Sequence, residues 1–194
     1  VSRHFDAIVF DFGGVLVDSE PVHFDCWRAI LGAHGVDLEW DTYAANGIGV
    51  SDRALIEFMA SLRTPPLDVD HFYTTEYPRK KALYLERSLQ CVPMAPATAE
   101  LLASLDDYRL AVVSSSARPE VEALLDRAGV LTRFDTRVCA REANRLKPAP
   151  DPYLRAAELL NTRRALVVED SEAGVASGLA AGIRRDRRGP GRSV

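Results

Sequence analysis

Short apolar runs closed by a polar residue alternate along this chain with segments of helical period. Ala7 to Phe10 ends on Asp11, Leu110 to Val113 ends on Ser114, and Ala165 to Val168 ends on Glu169. Runs of this kind, without a polar alternate, mark strands covered on both faces. Phe134 to Cys139 is a weaker run of the same type. Helical spacing fills the intervals at Thr98 to Leu105, Pro119 to Ala128, Asp151 to Leu160 and Glu172 to Ala181. Strand and helix in strict alternation predict an α/β fold with a doubly wound, parallel, Rossmann-like sheet.

One long block breaks the rhythm. From Pro21 to about Gln90 the pattern is helical almost throughout, with Phe24, Trp27, Ile30 and Leu31 at helical spacing in its first segment. A helix is predicted over Ser51 to Leu62, capped by Ser51 or Asp52, and another over Asp70 to Leu89, with Pro78 expected to break or kink it. Lys80 and Lys81 read as a solvated helix face. The Pro-rich joint Val92 to Pro96 returns the chain to the alternating pattern. The predicted division is a core of residues 1–19 and 92–194, and an inserted helical cap, 20–91, folded over the carboxyl ends of the strands.

Composition narrows the class. The 194 residues are 47% hydrophobic and 27% charged, enough apolar content for a sizeable core. A formal net charge of −4 argues against a nucleic-acid surface, and no apolar stretch reaches the roughly 20 residues of a membrane span. No basic-then-apolar signal opens the chain, so a cytoplasmic protein is expected. Cys26, Cys91 and Cys139 are odd in number and lack metal-type spacing, which fits reduced structural thiols. Val1 in place of Met points to an alternative start codon or a trimmed chain.

Polar groups that directly follow strands of an open parallel sheet meet in one crevice. Asp11 is a nucleophile or metal ligand in such a place, and Gly13-Gly14 lets the main chain turn sharply after it. Ser114, Ser115 and Ser116 offer hydroxyls and N–H groups to phosphate oxygens at the start of a helix. Lys147, in RLKPAPD, supplies a point charge, and Glu169-Asp170, in VVEDSEAG, a pair of hard oxygen ligands. Taken singly, each has a plainer reading: a strand-end Asp or a serine run is often a helix cap, and a Lys-Pro often a solvated loop.

Together, the segment IVFDFGGVLVDSEP, Ser114, Lys147, Glu169-Asp170 and the Ala-Ala-Gly at 180–182 resemble, in order and spacing, the motifs of the haloacid-dehalogenase-like hydrolase superfamily. The resemblance is greatest to the branch of β-phosphoglucomutase and phosphoglycolate-type phosphatases. It implies Mg²⁺-assisted hydrolysis of a small phosphorylated metabolite through an aspartyl-phosphate. Asp11 would be the nucleophile, Ser114 would orient the phosphoryl group and Lys147 would offset its charge, with Ser115, His23 and Arg53 at the substrate. The metal would be held by Asp11, the main-chain carbonyl of Gly13, Asp170, and Glu169 as ligand or as support for the ligands.

Two departures qualify the resemblance. The family's second Asp, its general acid/base, is Gly13 here, a role commonly worth about 10²–10⁴ in rate. Either a neighbour such as His23 substitutes, or turnover is slow or confined to good leaving groups, or activity is lost; His23 equally suits a packing role at the cap hinge. A catalytically impaired relative and a dehalogenase-type hydrolase are therefore the alternatives. The acidic pair Glu169-Asp170 speaks against the dehalogenase, and a phosphonate hydrolase would need a Schiff-base lysine of which Lys80 and Lys81 are poor candidates. The second departure is the ending: after Ile183 the chain runs RRDRRGPGR where the family has a further strand and helix. Loss of that strand predicts an uncovered sheet edge, with low stability or self-association.

Overall fold

The computed structural model describes residues 4–183. The chain divides into two compact units, Val1–Asp18 with Met94–Val194, and Ser19–Pro93.

The first unit is built on four parallel strands, β1 (Ala7–Asp11), β2 (Arg109–Val113), β3 (Thr136–Val138) and β4 (Ala165–Val168), in the spatial order β3-β2-β1-β4. Every residue of β1 is buried, as its unbroken apolar run requires. The register sets Asp11 opposite Val113, and Phe10 opposite Val168. The chain positions that follow β1, β2 and β4 therefore emerge side by side at one end of the sheet. Alternate residues Ala7, Val9, Ala111, Val113 and Val138 share one core with Tyr153 and Ala156 of the helix packed over β2 and β3, and with Leu160 just after it.

The strand expected over Phe134 to Cys139 is confined to Thr136–Val138, because a 3₁₀ turn at Leu131–Arg133 occupies the approach. β4 has its predicted bounds; among the described residues no strand pairs with its outer side, and Leu166 is exposed. The expectations placed on Arg184 to Val194 lie outside the described residues.

The second unit is helical: α1 (Glu20–Gly32), α2 (Trp40–Gly47), α3 (Asp52–Ser61) and α4 (Val69–Gln90). Ser51, not Asp52, caps α3, its hydroxyl accepting from the Ala54 N–H at 3.2 Å. Asp68 does the same for α4, accepting from His71 N–H at 2.9 Å. Trp27, Leu31, Leu38, Ile56, Met59 and Phe72 make the core of this unit. Truncating Ile56 or Met59, both fully buried, to alanine would cost about 2–5 kcal/mol.

Two expectations are corrected here: a break at Pro78 and a solvated Lys80. Pro78 lies inside the 22-residue α4 without ending it. The missing donor costs about 3 kcal/mol, and Phe72 and Tyr84 are buried on either side of it. Lys80 is not solvated but 4% exposed, its ammonium 2.6 Å from His23 Nδ1 and over the rings of Trp27 and Tyr84. Three further helices complete the first unit on one side of the chain order, α5 (Pro96–Ser104), α6 (Arg118–Arg127) and α7 (Asp151–Leu159), and α8 (Glu172–Ala180) follows β4.

Candidate functional site

Asp11 is the last residue of β1 and is buried. A turn follows in which Gly14 N–H donates to Val17 O at 2.8 Å and Gly13 bridges to Val17, folding the chain back at once. Gly14 has φ +81°, a conformation that suits glycine. It also leaves room for Asp170: a methyl group on residue 14 would lie 1.9 Å from Asp170 Oδ2. Gly174, in α8, serves Glu169 likewise, for a methyl group there would lie 2.0 Å from Glu169 Oε1.

Lys147 comes from the long connection between β3 and α7, and its ammonium lies 2.5 Å from Asp11 Oδ1, 2.5 Å from Glu169 Oε1 and 3.3 Å from Val113 O. The three side chains are nearly dry, at 9% exposure for Lys147, 13% for Asp11 and 2% for Glu169. In such a setting charge-assisted bonds are strong and an unpaired member would be costly. Burial pushes the Asp11 carboxyl up to about 6, with Lys147 pulling the other way. Burial would also raise Glu169, but the bonds from Lys147 and Tyr153 outweigh it and hold that carboxyl below its usual range.

Glu169 is fully engaged. Besides Lys147 it accepts from the buried Tyr153 hydroxyl and from Ser171, whose Oγ lies at 3.2 Å. Tyr153 also places its ring 5.2 Å from the Lys147 ammonium, and burial and Glu169 raise its phenol above the ordinary range. The turn at Gly14 was legible in the sequence, but Tyr153 and Gly174 were not; the one available signal was Tyr153 at the first turn of a helix that begins four residues after Lys147.

Asp170 is exposed, and Asp11, Glu169 and Asp170 present ligand atoms within 4.8 Å of one another. Three carboxylates at that spacing form the hard, oxygen-only set that Mg²⁺ or Ca²⁺ prefers, so the residues present fit a divalent cation. Ser114 follows β2, is buried, and its Oγ accepts from Ser116 N–H at 3.0 Å; Ser115 is exposed at the same turn. α6 begins shortly after, at Arg118, so its N-terminal end lies on that side.

His23 and Arg53 belong to the second unit. His23 stacks on Tyr84 at 3.9 Å and accepts from Lys80; burial, then Lys80 and Lys81, pull its imidazole down to about 3. Arg53 is committed to Glu57 and Asp70, at 3.1 and 2.9 Å. No helix among the described residues is long and apolar enough to cross a membrane.

The chain is similar to fructose-1-phosphate phosphatase YqaB of Escherichia coli, 29% identical over 93% of this chain and 95% of that protein. A phosphorylated carbohydrates phosphatase of Thermotoga maritima is 28% identical over 93% of this chain and 83% of its own length. Among solved structures, that of a CbbY mutant from Rhodobacter sphaeroides in complex with xylulose-(1,5)bisphosphate superposes with a TM-score of 0.72 at 26% identity, covering 93% of this chain and 84% of that one. The family model of haloacid dehalogenase-like hydrolases matches residues 5–182, nearly all of the described chain and every residue of the strand-end cluster, and the protein belongs to that family.

Proposed function

We propose that this protein is a phosphoric monoester hydrolase of the haloacid dehalogenase type, acting on a small phosphorylated carbohydrate with the help of Mg²⁺. The observation that carries the reading is the Lys147 ammonium lodged between Asp11 and Glu169, beside the third carboxylate of Asp170. The printed names of the two phosphatase relatives support the reaction and the carbohydrate class.

Asp11 would attack phosphorus, forming an aspartyl-phosphate as the bond to the leaving oxygen breaks, and water would then hydrolyse the acyl phosphate. Lys147 neutralises phosphoryl charge and, in the resting state, keeps Asp11 ionised against its burial. Ser114 and the N–H groups after it receive phosphoryl oxygens. Asp11, Asp170 and the main chain at Gly13 would hold Mg²⁺, with Glu169 steadying Lys147; bound Mg²⁺ supplies charge neutralisation and orientation. The unit Ser19–Pro93 is read as the substrate-selecting cap, with Ser115, His23 and Arg53 at the substrate.

Gly13 favours a second reading, a relative with impaired turnover, since no side chain stands at the acid/base position. His23 does not repair this as it stands: an imidazole held near 3 carries no proton to give at neutral pH. The test is hydrolysis of p-nitrophenyl phosphate and a sugar-phosphate panel, with Mg²⁺ and with EDTA, for the wild type and Asp11→Asn. Metal-dependent turnover abolished by the substitution supports the first reading; none on any substrate supports the second.

A further inference from the structure

Lys147 does its work from a connection, residues 139–150, that contains no helix or strand, so something must fix its position. We propose that Arg118 is a positioning residue that ties this connection to the serine turn, acting through its ion pair with Glu142.

Arg118 opens α6, four residues after Ser114, and Glu142 lies five residues before Lys147. Nε and Nη2 of Arg118 donate to the two oxygens of Glu142 at 2.6 and 2.7 Å, the two-pronged geometry that makes a guanidinium directional. Glu142 Oε2 also accepts from Cys139 N–H at 3.1 Å, closing the connection's first turn on itself. The remaining Arg118 donors go to Glu122 and to Arg137 O, at 2.8 and 2.7 Å, so the guanidinium is pinned to its helix and to β3. A main-chain bond from Ala140 N–H to Ser116 O, 2.9 Å, runs alongside.

The turn between these groups is strained. Arg141 has φ +70°, a conformation L-residues adopt only when their surroundings hold them there. Arg118 on one side and the Cys139 N–H on the other grip Glu142 immediately after it. Exposed ion pairs add little stability in general, and Arg118 and Glu142 are about one-third exposed, at 38% and 32%. The pair therefore matters for where Lys147 sits more than for whether the domain folds. Four of the five Arg118 N–H donors are engaged within the protein, so it acts through Lys147 rather than as an anion ligand itself.

The inference rests on the phosphatase reading for its kinetic arm but not for its binding arm. Arg118→Ala and Glu142→Gln, which break the pair from opposite sides, are each combined with Lys147→Ala. Turnover of p-nitrophenyl phosphate and calorimetric affinity for inorganic phosphate are then measured. The expected result is a loss of about tenfold in kcat and in phosphate affinity for each single variant. In the Lys147→Ala background neither change should cost anything more. Arg118→Glu with Glu142→Arg should recover part of the loss. Losses that add fully to that of Lys147→Ala, or single variants indistinguishable from wild type, overturn the proposal. Wild type that binds phosphate but turns nothing over overturns the phosphatase reading alone, and the binding cycle then decides on Arg118. Wild type that binds no phosphate overturns both.

Discussion

Gly14 and Asp170 meet across the gap between the turn after β1 and the end of β4, so closely that residue 14 has no room for a side chain. The first and last site segments of the chain are thus fitted to one another by the absence of a methyl group. Gly14→Ala has to displace the Asp170 carboxylate and to hold alanine at φ +81°, which alone costs about 1 kcal/mol or more. We expect activity to fall at least a hundredfold, with a stability loss of about 1–3 kcal/mol in urea unfolding. Near-normal activity in this variant would mean that Asp170 takes no part.

Asp170→Asn removes one charged oxygen ligand from a set of three while leaving the shape intact. Mg²⁺ affinity by calorimetry should drop by at least tenfold, since Mg²⁺ sites depend on anionic oxygens. Equal affinity in both proteins would reduce Asp170 to a residue that merely precedes the helix cap Ser171.

Gly13→Asp should increase turnover, chiefly on alkyl phosphates, because an acid helps most where the leaving oxygen is basic; p-nitrophenyl phosphate should gain little. A steady-state comparison of the two substrate types checks this. Should the wild type already handle both equally well, an acid other than residue 13 is at work.

His23 gives the stability a pH dependence whose sign follows from its environment. Its folded pKa of about 3 lies below the ordinary 6.5, so the unfolded chain binds the proton more readily. The contribution is fully present above pH 6.5 and is lost as pH falls from 6.5 towards 3, at up to about 1.4 kcal/mol per pH unit. Urea midpoints at pH 7, 5.5 and 4 should therefore fall more steeply for wild type than for His23→Gln, in which nothing at that position titrates. Parallel slopes would place His23 in water.

What could be read in advance was what local chemistry determines. β4 was legible because four apolar residues between an Arg pair and an acidic pair leave little choice of bounds, and α3 because Ser51 supplies a cap before an apolar stripe. α4 misled for the opposite reason: its buried positions 72, 76, 80, 84 and 88 include Glu76, Lys80 and Ser88, so the helical period is present but written in polar residues. Burial of Lys80 depends on Trp27 and His23 arriving from α1, beside Tyr84 one turn along its own helix. α2 escaped notice because Trp40 and Tyr43 are the only large apolar residues of a helix that ends on Asn46-Gly47. In the site, the strand-end residues were legible by topology, while Tyr153 was not: its role comes from packing beneath Lys147, and a tyrosine one turn into a helix looks like any core residue.

The sheet order also sets a timetable. β1 leaves the ribosome first, yet Ile8 pairs with Leu110 on one side and Leu166 on the other. Asp11 is therefore synthesised before both neighbours of its strand and placed only after them, since neither flank exists until long loops have closed. Fragments ending before β4 should collapse around their helices without forming the Asp11–Lys147–Glu169 cluster, whose last member follows β4.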